Sequence, residues 1–170
     1  MNGKWIGAVL IILGCGGFGF RIALGYRSTE RLLRQLLEVL ETMESELQYR
    51  LLPLPTLLRR AARDAGGTLR EVFARLAEEL DRQSQPDAAG CMRIALDSCR
   101  ELPAAVRRPL RQLGQTLGRF DLPGQIQGLK AVQDTCRREL TRLENNRDVR
   151  LRSYQTLGLC AGAALAILFA

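Results

Sequence analysis

The sequence predicts an all-α protein, a bundle of about six helices whose first and last helices extend as membrane anchors. Three observations carry this: an uncharged apolar run lies at each end, apolar residues between them recur at helical period, and no stretch has the alternation and turn spacing of a sheet. The boundaries expected are 1–26 for the first anchor, 27–152 for a helical domain and 153–170 for the second anchor.

The first anchor centres on Trp5 to Phe20. At 1.5 Å per residue this run covers about 24 Å, short of the roughly 30 Å hydrocarbon core. Ile22, Ala23, Leu24 and Tyr26 continue its apolar character, Arg21 can snorkel toward the phosphates, and Trp5 and Tyr26 mark the interfaces. No small-residue cleavage site of a secretory signal is evident near Gly25. Ile12-Leu13-Gly14-Cys15 resembles a bacterial lipobox, in which Cys15 would be lipidated after cleavage; Gly16 to Phe20 stays apolar where a lipoprotein has a polar tether, which favours a retained anchor.

Next, Leu32, Leu33, Leu36, Leu37, Leu40, Met43 and Leu47 form one helical stripe, which Pro53 and Pro55 bring to an end. A short helix from Thr56 to Ala65 is expected to stop at Gly66-Gly67. Thr68 with Glu71 reads as a capping box ahead of Leu69, Val72, Phe73, Leu76, Ala77 and Leu80. Gln83-Ser84-Gln85-Pro86 ends that helix, and Asp87 can cap the next, which holds Met92, Ile94, Ala95 and Leu96. Pro103 precedes a further helix around Val106 to Leu117. After Asp121-Leu122-Pro123-Gly124 one long helix, with Ile126, Leu129, Val132, Cys136, Leu140 and Leu143 on its stripe, is expected to run without a break into the second anchor. That anchor, Tyr154 to Ala170, carries Gly158, Gly162, Ala166 and Ala170 in a small-xxx-small row suited to close helix packing, with self-association as one outcome.

Arg21, Arg27, Arg31 and Arg34 follow the first anchor and Arg147, Arg150 and Arg152 precede the second, so the positive-inside rule puts the middle domain in the cytoplasm and both termini outside. The net charge of +7 is local: residues 21–50 hold 5 Arg against 5 Glu, 51–102 hold 8 Arg against 8 acids, and 103–152 hold 11 cations against 5 acids. This last excess can attract anionic headgroups. Cys91, Cys99 and Cys136 have no CxxC spacing, the total of five cysteines is odd, and in a cytoplasmic domain these thiols need no disulfide partner.

Chemistry is sparse. The chain has no His, which removes the usual general base and the commonest metal ligand. Neither lysine follows a G-x-x-x-x-G, so there is no phosphate loop, and arginines interleaved with acids at 5% aromatic content do not suit a nucleic-acid binder. No cofactor, metal or small-molecule substrate is expected. Glu38, Glu41, Glu44 and Glu46 read as a solvated or ion-paired face.

Glu44-Ser45-Glu46-Leu47-Gln48-Tyr49 followed by Pro53-Leu54-Pro55 resembles the E-x-E-I-x-Y-x-x-x-P-L-P stretch of the stage III sporulation protein AB family of endospore-forming bacteria. Leu113-Gly114-Gln115-Thr116-Leu117-Gly118-Arg119 with Asp121 and Gln125 resembles the family's L-G-x-x-L-G-x-S-D-x-x-x-Q, and Tyr154 with Leu157-Gly158 opens the final span in the same way. Phe120 stands where the family has Ser, and Arg50 where Gly is common. The resemblance implies a cytoplasmic domain similar to the inner-membrane platform protein of type II secretion and type IV pilus machines. It implies a non-enzymatic subunit of the complex between mother cell and forespore, in the mother-cell membrane, contacting other subunits and a secretion-type ATPase. Its candidate partner surfaces are the corner of Glu44, Glu46, Tyr49, Pro53 and Pro55 and the turn of Gly114, Gly118, Arg119, Asp121 and Gln125. The alternative is a membrane-tethered adaptor that binds anionic lipid through its basic C-terminal half.

Overall fold

The computed structural model describes residues 27–50, 52–118 and 121–169, with the backbone alone described over 146–169. Among these residues there are six helices and no strand: α1 over 27–50, α2 Leu54–Asp64, α3 Gly67–Asp81, α4 Ala88–Ser98, α5 Ala104–Thr116 and α6 Leu122–Phe169. The apolar stripes face one shared core. From α1 it takes Leu33, Leu36, Leu40, Met43 and Leu47, and also Val39, a β-branched residue outside the expected stripe. Phe73 of α3, Met92 of α4, Leu110 and Leu113 of α5 and Leu129 of α6 are fully or almost fully withdrawn from solvent, each such side chain contributing on the order of 2 kcal/mol.

Every helix runs antiparallel to the one before it. Glu46 of α1 pairs with Arg60 of α2, while Val39 lies by Asp64. Arg59 of α2 pairs with Asp81 of α3. Glu71 and Ser84, at opposite ends of α3, reach Cys99 and Cys91 around α4. Arg107 of α5 donates to the carbonyls of Leu96 and Cys99, whereas Gly114 meets Met92 and Ala88. Thr116 of α5 sits against Gly128 of α6, and Arg108 pairs with Glu139 at 2.8 Å.

The ring closes where α6 returns beside α1. Arg34–Glu144 at 3.2 Å, Glu41–Arg137 at 3.2 Å and Glu44–Gln133 at 2.8 Å keep a nearly constant antiparallel register along this seam. With six helices, an even number, α1 enters and α6 leaves at one pole. The turns 52–53 and 82–87 lie at the other, the far pole, as do residues 117–118 after α5 and residue 121 before α6.

Local signals explain most boundaries. Pro53 is the N-cap residue of α2 and Pro55 lies in its first turn, where the missing N–H costs nothing, so the pair both closes α1 and opens α2. Asp87 caps α4, its carboxylate accepting from the Gly90 N–H at 2.8 Å. Asp121 does the same for α6 through Gly124 at 3.2 Å. At the end of α3, Gln83 takes φ 51 so that its own N–H reaches the Leu80 carbonyl and the Ser84 N–H reaches Glu79, a Schellman close without the usual glycine.

One expectation fails. Thr68 and Glu71 form no capping box: α3 begins at Gly67, its N-cap residue is Gly66, and no side chain caps it. The helix starts ahead of Thr68, so the hydroxyl sits inside the first turn, past the position from which it could cap. A second feature stands outside the sequence reading. Pro109 lies inside α5, where it removes one ladder hydrogen bond, yet its buried ring is absorbed by the core.

The long final helix is as expected, continuous from Leu122 to Phe169. Among the described residues no helix is long and apolar enough to cross a membrane. The first expected anchor, 1–26, lies outside the described residues, as do the side chains of the second, including Gly158, Gly162, Ala166 and Ala170.

Candidate functional site

The two segments singled out by sequence meet at the far pole. Gly118 takes φ +72, a left-handed conformation open to glycine, and a Cβ there would lie 3.6 Å from Leu54 Cδ2, so the α5–α6 turn rests on the start of α2. Around this junction the candidate residues divide by what they touch.

Glu44 and Glu46 face the bundle's own cations. Glu44 accepts from Gln133 at 2.8 Å and lies 3.5 Å from Lys130. Glu46, with 14% of its side chain exposed, is shared by Arg60 at 3.2 Å and Arg50 at 3.7 Å. These carboxylates tie α1 to α6 and α2, as the ion-paired reading of the glutamate face requires. Gly114 is buried, and a Cβ there would come within 2.5 Å of Met92 Cβ, so it sets the approach of α5 to α4 from behind the surface. Asp121 is exposed, and its carboxylate caps α6; Gln125 is half-buried and donates its N–H to the Asp121 carbonyl at 2.9 Å. Arg119 lies outside the described residues.

What the far pole offers outward is Tyr49, the one large hydrophobic residue exposed among those described, at 78%. Pro53 and Gly118, at the same pole, are also exposed. Sequence reasoning did not single out an open groove of about 380 Å³ at the start of α6, lined by Leu122, Pro123, Ile126, Gln127 and Lys130. Lys130 links it to Glu44 and so to the end of α1. The signal was present in the sequence: Leu122, Pro123 and Ile126 fall on the first turn of α6 ahead of the buried stripe that begins at Leu129.

Cys91, Cys99 and Cys136 are free thiols, all buried. Desolvation pushes the Cys136 pKa up to about 12, slightly offset by Arg137 and reinforced by Glu139, so this thiol stays protonated at neutral pH. Among the described residues no group of three or more acidic or cysteine side chains is placed to hold a metal ion.

Comparison with known proteins follows the same lines. Stage III sporulation protein AB of Bacillus subtilis (strain 168) is 26% identical over 168 residues, covering 97% of this chain and 98% of that one. A solved stage III sporulation protein AB superposes with a TM-score of 0.61 at 23% identity, covering 69% of this chain and 94% of its own. A sequence profile of the stage III sporulation protein AB family matches residues 4–170, and with that match over nearly its whole length the chain belongs to this family of sporulation proteins.

Proposed function

We propose that this chain is a non-enzymatic platform subunit of the secretion-like complex between mother cell and forespore. In this reading its two ends anchor it in the mother-cell membrane, the bundle projects into the cytoplasm, and the far pole contacts the secretion-type ATPase or neighbouring subunits. The observation that carries the reading is the parity of the bundle. An even number of antiparallel helices brings 27 and the outgoing length of α6 to one pole and leaves Tyr49, Pro53 and Gly118 at the other. A load applied at the far pole is then passed along two full-length helices, joined by the Arg34–Glu144, Glu41–Arg137 and Glu44–Gln133 contacts, to both anchors at once.

The partner surface follows from exposure. Glu44 and Glu46 are held by internal pairs, so reversing either would disturb the bundle before it disturbed a partner. Tyr49 is free of that ambiguity, and an exposed tyrosine at the same pole as an open groove has the composition of an interface anchor. A photo-crosslinking residue at position 49 in sporulating cells is expected to capture the ATPase or another subunit of the complex. Tyr49→Ala is expected to lower their co-purification several-fold with helicity unchanged. Capture of phospholipid and this chain alone would sink the proposal.

A further inference from the structure

Part of the charge excess of 103–152 is gathered around one groove, while Lys130 and Arg137 pair with α1 instead. Arg107, Arg108 and Arg111, with Gln112 and Gln115, line a groove of about 510 Å³ along α5. Arg138 of α6 joins them through Thr135, whose hydroxyl donates to Gln112 Oε1 at 2.9 Å and accepts from Arg138 Nη2 at 3.1 Å. Arg142 stands one turn further along α6. The acid within this set is Glu139, whose side chain is 11% exposed and is shared by Arg108 at 2.8 Å and Arg142 at 4.0 Å. Arg111 is exposed and has no partner among the described residues. The Arg108 side chain is 66% exposed despite its pairing, so its guanidinium keeps donors facing solvent.

We infer that this groove docks an acidic polypeptide segment of another protein. Charge complementarity calls for an anion, and position selects which one. The inference rests on the reading of 153–170 as an anchor. Helix α6 is unbroken from Leu122 to Phe169. At 1.5 Å per residue Arg138 then lies about 22 Å before residue 153, and the α5 arginines lie at a similar height. An arginine side chain reaches about 6 Å, and the headgroup layer adds about 6 Å on each side of the hydrocarbon core. Roughly 10 Å of water remains for Arg138 and the α5 arginines that line the groove, about one Debye length, over which the attraction of headgroups is largely screened; Arg142, outside the groove lining and nearer the anchor, keeps about 5 Å. A lipid surface is too far to fill this groove; a peptide carboxylate is not. Arg108 and Arg111 stand three residues apart on one helical face, Arg111 with its whole guanidinium open and Arg108 with donors left over from Glu139, so neighbouring carboxylates of one segment can reach both. Arg107, held on the Leu96 and Cys99 carbonyls, adds its charge.

The test uses the full-length chain in nanodiscs and, as probe, a fluorescein-labelled heptaglutamate peptide read by anisotropy. Arg111→Gln with Arg138→Gln removes two charges without unpairing Glu139, and is expected to weaken binding at least tenfold. Arg63→Gln with Arg82→Gln, two exposed arginines elsewhere, is expected to change it less than twofold. Binding to wild type should be the same within about threefold in neutral phosphatidylcholine discs and in discs with a third phosphatidylglycerol. Equal binding by wild type and the Arg111/Arg138 variant overturns the inference, as does occlusion of the groove by phosphatidylglycerol. The peptide needs no other sporulation protein, so this result stands apart from the fate of the Tyr49 crosslink.

Discussion

Cys136 lies on the buried stripe of α6 between Val132 and Leu140, with its thiol pKa raised to about 12 by burial. In the unfolded chain the same thiol titrates near 9.0. Because the folded value is the higher one, the folded state holds the proton more tightly. The group's contribution is therefore fully present below pH 9 and is lost as pH rises from about 9 toward 12. Urea unfolding of the full chain should accordingly show stability falling by a few kcal/mol between pH 8 and pH 11. Cys136→Ala should lose less over the same range, and the difference isolates this thiol from the tyrosines and lysines that titrate alongside it. Identical pH slopes for the two proteins would contradict the burial argument. Residue chemistry of this kind was partly legible in the sequence. The spacing of Cys136 at helical period marked it as a core thiol, and the glutamate face was readable as solvated or ion-paired. Which cation each glutamate meets was not readable, since Glu44 finds Lys130 and Gln133 more than eighty residues away.

Among the elements, a helix start identified from one side chain is secure only when the preceding backbone fixes where the helix begins. Asp87 follows Pro86, which bars an earlier start, and it caps α4 as its type suggests. Thr68 follows Gly66-Gly67, and Gly67 at φ +54 lets the chain turn into α3 ahead of the threonine. Asp87→Ala is therefore expected to lower unfolding stability by about 1 kcal/mol, whereas Thr68→Ala stays within about 0.5 kcal/mol of wild type. Thermal melts of the two variants side by side decide it, and an equal loss from both would restore the capping box. The same reasoning explains why the helices were legible in number and order and less so in their limits. Stripes of leucine, valine and alanine announce each helix, while its ends depend on where a glycine or proline permits the turn. Pro109 shows the converse, a breaker overridden because Val106, Leu110 and Leu113 on either side are buried together.

At the scale of the whole molecule, the six stripes foretold a bundle but not its closure, which depends on contacts between residues more than ninety positions apart. Closure and parity together make a topological demand that no single helix makes: a membrane holding one end of the chain must hold the other from the same pole. On the proposed reading, in which both ends are anchors, the flanking arginines put that pole at the cytoplasmic face and both termini across the bilayer. In a chain whose five native cysteines are replaced by alanine, Asn2→Cys and a cysteine appended after Ala170 should react with a membrane-impermeant maleimide in intact cells. Ser84→Cys, in the exposed far-pole turn after α3, should react only after permeabilisation. Labelling of one terminus without the other would break the parity argument. Labelling of Ser84→Cys in intact cells would invert the orientation, and with it the proposal that the far pole meets a cytoplasmic ATPase.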